Sequence, residues 1–180
     1  MTANPAFVCQ LATKHDIQEL KALMAVAIDV LLADLLDPAQ VEASKAVMGL
    51  DTQLIADGTY FKVLDGDRIV GSGGWSNRAT LYGGDHTSGR NARFLDPASE
   101  PARIRAMYTD PSYTRCGIGS MIIDHCEAAA LKKGFKSFSL MSTISGLPLY
   151  KARGYVVISE EPETVGTVSV PLFRMEKSAP

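Results

Sequence analysis

The sequence predicts a mixed α/β domain, and three observations carry that prediction. Strand-like and helix-like segments alternate along the chain, no segment repeats or falls into low complexity, and the length of 180 residues suits one compact unit. One domain is therefore expected over residues 1–180. A chain of this size buries about 70 % of its unfolded surface, so stability requires no disulfide or metal staple. Hydrophobic residues at 46 % and charged residues at 21 % lie near the globular average, which excludes disordered, collagen-like and disulfide-rich classes. The 18 basic and 20 acidic side chains leave a net charge of −2, with no broad electrostatic footprint for nucleic acid or an anionic membrane.

The elements follow in order. Phe7 to Leu11 is a short strand. Thr13 and Asp16 then form a capping-box start. Leu20, Leu23, Met24, Ala27, Ile28, Leu31, Leu32 and Leu35 recur at helical spacing, so an amphipathic helix lays one stripe on the core. Asp37-Pro38 stops it and starts a shorter helix ending near Gly49. Tyr60 to Leu64 and Ile69 to Trp75 are strands joined by the hairpin signal Asp65-Gly66-Asp67. Ser76 to Pro101 lacks periodicity, and loops that long are usually functional. Arg103 to Thr109 is a strand, Gly117 to Lys133 a helix closed by Gly134, and Phe135 to Ser142 another strand. Pro148 to Arg153 is a short helix, after which Tyr155 to Ile158 and Val168 to Arg174 form a closing antiparallel pair.

Met1 to Gln10 has no basic and apolar signal-peptide pattern, and Lys21, Asp29 and Asp34 interrupt the most apolar stretch, Leu20 to Leu36. Neither a signal peptide nor a membrane span is expected. Cys9, Cys116 and Cys126 lack framework spacing and suit free thiols in a reducing, cytoplasmic compartment. No Cys/His pair has zinc-ligand spacing, and His125 and Cys126 face different sides of a helix, so no metal is expected. Trp75, beside Gly73-Gly74, is a core anchor before it is a substrate platform.

The chemistry concentrates in Asp110-Pro-Ser-Tyr-Thr-Arg-Cys-Gly117-Ile-Gly119-Ser120, between a strand and a helix. Backbone N–H groups at such a junction attract phosphate, and glycine lets the backbone approach it. A phosphate-binding P-loop needs Lys after its last glycine, where Ser120 stands, and a dinucleotide fingerprint needs a small residue where Ile122 stands. Taken alone, the Gly-x-Gly is equally well a tight turn.

At this point the sequence resembles the GNAT superfamily of N-acetyltransferases. Thr114-Arg115-Cys116-Gly117-Ile118-Gly119 fills the family's Gln/Arg-x-x-Gly-x-Gly/Ala slot, with Thr114 departing from its first position. Leu149-Tyr150-Lys-Ala-Arg-Gly154-Tyr155 matches the aromatic element one helix and one strand later. The resemblance implies a mostly antiparallel central sheet flanked by helices and splayed at its two middle strands. It further implies acetyl-CoA as co-substrate and transfer to the amine of a small molecule or peptide by direct attack. Met107 and Thr109 would offer backbone groups to pantetheine, with Tyr108 in the same strand facing the opposite side. Thr114, Arg115, Cys116, Gly117, Ile118, Gly119 and Ser120 would cradle the pyrophosphate. A backbone N–H of Met107–Thr109 would serve the oxyanion, and Tyr150 would protonate the departing sulfur. Asp85 and His86, in the long loop, are candidates for the base, imidazole being a side chain suited to proton transfer near neutral pH, and deprotonation through water is the alternative. Cys116, at a helix start but without a partner base in sequence, is a loop residue rather than a nucleophile. Neither nucleic acid nor membrane is an expected partner, and a homodimer is compatible with this reading. A CoA-binding sensor of the same fold without turnover, and transfer of a longer acyl group, are the competing readings.

Overall fold

The computed structural model describes residues 6–180; residues 1–5, half of the N-terminal stretch read above, lie outside the described residues. The sheet opens with β1 (Val8–Leu11). The predicted capping box follows: Asp16 accepts the Thr13 N–H at 2.7 Å while the Thr13 hydroxyl accepts the His15 N–H at 3.3 Å. Helix α1 (Ile17–Leu31) buries Leu20, Leu23, Met24, Ala27 and Ile28 on one stripe. It ends before Leu35, which is exposed, because the chain turns at Leu32 toward the next cap. There Asp37 is held extended by Pro38 and exchanges hydrogen bonds with Gln40, opening α2 (Pro38–Val47). A five-residue helix absent from the sequence reading, α3 (Thr52–Ala56), is capped by Asp51, which accepts the Gln53 N–H at 3.0 Å.

The hairpin β2 (Tyr60–Asp65) and β3 (Arg68–Ser76) turns at Gly66, whose φ is +59°. After the long loop come β4 (Ala102–Thr109), α4 (Ile118–Lys132), β5 (Ser137–Thr143), α5 (Leu147–Ala152) and β6 (Val156–Glu160). The predicted final strand Val168 to Arg174 is two strands. Pro171, which has no N–H to donate, separates β8 (Val168–Val170) from β9 (Leu172–Ser178). β8 pairs with β7 (Glu163–Val165) in a separate hairpin, while β9 pairs with β6 as expected.

The main sheet has seven strands in the order β1-β2-β3-β4-β5-β9-β6, antiparallel except between β4 and β5. Helix α4 covers one face, where Ile118, Ile122, Ile123 and Cys126 meet Val70, Ile104, Phe138 and Met175. Helix α1 covers the other, against Tyr60, Ile69 and Tyr108. The close approach of α4 rests on the β3 glycines: a Cβ at Gly71 would stand 2.3 Å from Ile118 Cγ2. Trp75 is buried edge-on to Phe135, with ring centroids 6.1 Å apart, and is a core anchor.

The loop after β3 is tied down at its base. Arg78 and Phe94 form an isolated bridge, and the Arg78 guanidinium grips Asp57 at 2.7 and 3.0 Å. That guanidinium holds the Asp57 carboxyl below the usual carboxylate range. A depressed folded-state pKa contributes stability that is present above the unfolded value of about 3.9 and lost as pH falls through the folded one. Thermal melts should therefore show Asp57→Asn clearly below wild type at neutral pH, with the gap shrinking at about pH 3.

Candidate active site

Strands β4 and β5 pair only at Ala102↔Phe138 and Arg103↔Ser139. Beyond these residues they part, so one side of β4 has no strand partner. The Asp110 N–H donates to the Val70 carbonyl, and Tyr108 sits opposite Ser72, so these residues turn their backbone groups toward β3. By the alternation of a strand, Met107 and Thr109 turn theirs into the gap.

A bulge sets this register. Gly74 opposes Arg105 and Ser72 opposes Tyr108, so one β3 residue faces Ala106 and Met107 together. Ala106 absorbs the extra residue at φ +51°, and Tyr60 donates its hydroxyl to the Ala106 carbonyl at 2.7 Å. The bulge sends Met107 to the α4 face, where a Cβ at Gly73 would lie 2.3 Å from Met107 Sδ. Tyr108 goes to the α1 face, and its phenol oxygen accepts the Gly49 N–H at 2.9 Å. The side chains of Met107 and Tyr108 thus lie on opposite faces of the sheet, next to a bulge that the sequence did not reveal.

The gap is a cleft walled by β4 from Ile104 to Tyr108, by Met141 and Thr143 of β5, and by Tyr150 of α5. The end of α2 at Val47–Gly49, the loop at Leu81–Gly83, and Leu172 complete it. Tyr150 stands out among the six tyrosines. The hydroxyls of Tyr60, Tyr82, Tyr108, Tyr113 and Tyr155 bond Ala106, Glu163, Gly49, Asp65 and Glu127 respectively. Among the described residues, the Tyr150 hydroxyl has no such partner, although the side chain is buried. Burial pushes the phenol above its ordinary value, so it remains a proton donor at neutral pH.

Past Thr109 the chain makes a 3-10 turn, Pro111–Tyr113, and reaches α4 through Thr114, Arg115 and Cys116, all exposed. Arg115 and Gly117 both adopt positive φ, +64° and +83°. Gly117 is the N-cap of α4 without a side-chain cap, in contrast with the capped starts of α2 and α3. The first amides of α4, at Ile118, Gly119 and Ser120, are therefore free of side-chain acceptors at the positive end of a 15-residue helix. The two glycines differ in purpose. A Cβ at Gly117 would meet nothing, so the left-handed backbone is what requires glycine there; a Cβ at Gly119 would stand 2.6 Å from Leu149 Cδ2. Gly119 thus lets α4 pack against α5, and so helps place Tyr150. Ile118 is buried and offers only its backbone. Cys116 Sγ lies 3.6 Å from the Thr114 carbonyl, with no base beside it.

His86 is not among the residues lining the cleft. Its Nε2 lies 2.8 Å from the Lys45 carbonyl, and its ring packs so closely on Gly49 that a Cβ there would come within 2.7 Å. Asp85 accepts the Thr52 N–H and hydroxyl at 2.9 and 3.1 Å. Both side chains fasten the loop to the α2–α3 junction, and the structure does not bring His86 together with Tyr150.

Sequence reasoning missed a buried ion pair beneath the cleft. Arg105 and Asp51, each 2 % exposed, meet at 3.0 Å, and Arg90 joins the second Asp51 oxygen. Arg105 also donates to the carbonyls of Thr80 at 3.2 Å and Gly83 at 2.7 Å, which fixes the loop wall. Asp51 and Arg105 are 54 residues apart, and no local pattern joins them.

The fold thus brings together a sheet that splits at its middle, free strand backbone along the split and an uncapped helix start beside it. The sequence model of the acetyltransferase (GNAT) family matches residues 28–155, and the chain belongs to that family. A GCN5-related N-acetyltransferase from Rhodopseudomonas palustris superposes with TM-score 0.70 at 18 % identity, covering 95 % of this chain and 94 % of that one. The PaiA N-acetyltransferase from Thermoplasma acidophilum, solved in complex with coenzyme A, gives TM-score 0.65 at 14 % identity, with 96 % and 99 % covered. An N-acetyltransferase from Staphylococcus aureus gives 0.63 at 14 % identity, with 96 % and 98 % covered. These likenesses establish the fold, including the mostly antiparallel sheet flanked by helices. No curated protein sequence matches the chain. Among the described residues no helix is long and apolar enough to cross a membrane.

Proposed function

We propose that the protein transfers an acetyl group from acetyl-CoA to the amine of a small molecule or peptide by direct attack. The observation that carries this reading is the Tyr150 hydroxyl, without a protein partner among the described residues and lining the same cleft as the free edge of β4. A purely binding domain has no need for a phenol that lines the cleft with its proton free to donate.

The residues present fit the donor. Met107 and Thr109 offer strand hydrogen bonds to an extended pantetheine arm. The amides of Ile118, Gly119 and Ser120, with the loop Thr114–Gly117, face the position of a pyrophosphate at the start of α4. The acetyl thioester supplies an electrophilic carbonyl and a thiolate leaving group. A backbone N–H in the bulged segment of β4 supports the carbonyl oxygen, and Tyr150 gives the sulfur its proton. The coenzyme A complex of the Thermoplasma acidophilum protein supports coenzyme A as the carrier.

Thiol release from acetyl-CoA in the presence of 2-phenylethylamine, spermidine, kanamycin and an alanyl peptide tests the reading. Amine-dependent release with at least one acceptor is expected. Coenzyme A binding without release across the panel would overturn it in favour of a sensor. Gly117→Ala places a side chain at φ +83°, at a cost of about 1–2 kcal/mol. By biasing the turn away from that backbone shape, it should weaken coenzyme A binding roughly tenfold in titration calorimetry.

A further inference from the structure

Attack by an amine leaves a proton to be taken from nitrogen, yet among the described residues neither a carboxylate nor an imidazole lines the cleft. The polar side chains that do line it are Arg105, Thr143 and three tyrosines. Arg105 only donates and is tied to Asp51. Thr143 shares a 3.0 Å hydrogen bond with Ser145, and Tyr108 is anchored on Gly49. Tyr150 serves the sulfur. Tyr82 remains, and it alone among these tyrosines donates its hydroxyl to a carboxylate, Glu163 Oε2, at 2.7 Å.

The pair joins the long loop to β7 and is held in place. Tyr82 packs with Ala43, Val47, Val170 and Leu172, and Gln40 of α2 donates to the Ser169 carbonyl of the neighbouring hairpin strand at 3.0 Å. Tyr82 lines the cleft, and with its proton directed at Glu163 its oxygen keeps lone pairs able to accept a proton. Glu163 is half-buried, so it remains in reach of water. Glu161, beside β7, adds a second negative charge near Tyr82, and Arg105 stands on the cleft's other wall.

Building on the transferase reading above, we propose that Tyr82 and Glu163 form the path by which the acceptor nitrogen loses its proton. As the N–C bond forms, the surplus proton on nitrogen passes to the Tyr82 oxygen while the Tyr82 proton passes to Glu163. The C–S bond breaks, the sulfur takes the Tyr150 proton, and the Glu163 carboxylic acid and the Tyr150 phenolate regain their starting states by exchange with water. No oxidant or further reactant is involved.

The test uses the best acceptor of the panel. Glu163→Gln keeps a carbonyl oxygen for the Tyr82 hydroxyl but accepts no proton. Its kcat/KM should fall roughly 100-fold at about pH 7, and the ratio to wild type should narrow toward unity near pH 9, where solvent base takes over. Tyr82→Phe should show the same profile, and Glu163→Gln should keep wild-type coenzyme A affinity and Tm. A Glu163→Gln rate within twofold of wild type, a loss equal at every pH, or a change confined to acceptor KM would overturn the proposal. A wild-type protein inert toward every amine would overturn the transferase reading, and this proposal with it.

Discussion

Tyr150→Phe is expected to lower kcat by about 100-fold or more while leaving coenzyme A affinity within twofold of wild type. The substitution removes one oxygen from a ring whose packing, edge-on to Tyr155 at 5.9 Å, it leaves intact. It breaks no protein hydrogen bond, because the Tyr150 hydroxyl makes none among the described residues. A phenol whose burial keeps it protonated is suited to donate to a departing thiolate. Since the native hydroxyl faces the cleft and bonds no protein group among the described residues, Tm should hold near wild type. Turnover and stability thus move independently, and the outcome is read from steady-state thiol release, calorimetry and a thermal melt. Unchanged kcat would remove Tyr150 from the chemistry.

The second large effect is on stability. Asp51→Ala should destabilise the protein by about 3–5 kcal/mol, because removing one partner of a buried ion pair strands the other charge. Arg105 would be left 2 % exposed with only the Thr80 and Gly83 carbonyls to compensate it. Burial already pushes the Arg105 guanidinium below its usual value, with Asp51 opposing that shift. The cap of α3 goes with it, since the Gln53 N–H loses its acceptor. For a chain of this size the loss corresponds to a fall in Tm of roughly 10 °C or more. Because Arg105 also fixes the loop at Gly83, acceptor KM should rise. A Tm within about 2 °C of wild type would show that water entering the site compensates the stranded Arg105 and Arg90.

Much of the fold was legible because it is written locally. The capping box at Thr13–Asp16, the helix start at Asp37-Pro38, the Asp65-Gly66-Asp67 hairpin and the α1 stripe each depend on residues a few positions apart. The glycine loop was legible for the same reason, although its two glycines answer different needs, a left-handed backbone at Gly117 and contact with Leu149 at Gly119. Pairing at a distance was not legible. The bulge in β4 rests on Ala106, a residue type with no preference for positive φ, held by a tyrosine 46 residues away. Tyr82 looked like a loop residue until the fold set Glu163 beside it, 81 positions on. The alternation Glu163-Thr-Val-Gly166-Thr-Val-Ser-Val did carry a hairpin signal that would have separated β7 and β8 from β9. His86 attracted notice as a titratable loop residue, but its ring sits over Gly49, because glycines 49 and 84 leave room for it there.

The central claim is that the split between β4 and β5, with the start of α4, holds the acyl donor through main-chain groups. Residue-resolved hydrogen exchange with and without coenzyme A tests it most directly. The account predicts slowed exchange at the amides of Met107 and Thr109 and at Ile118, Gly119 and Ser120. Saturating coenzyme A that leaves these amides unprotected, while slowing exchange elsewhere, would contradict it.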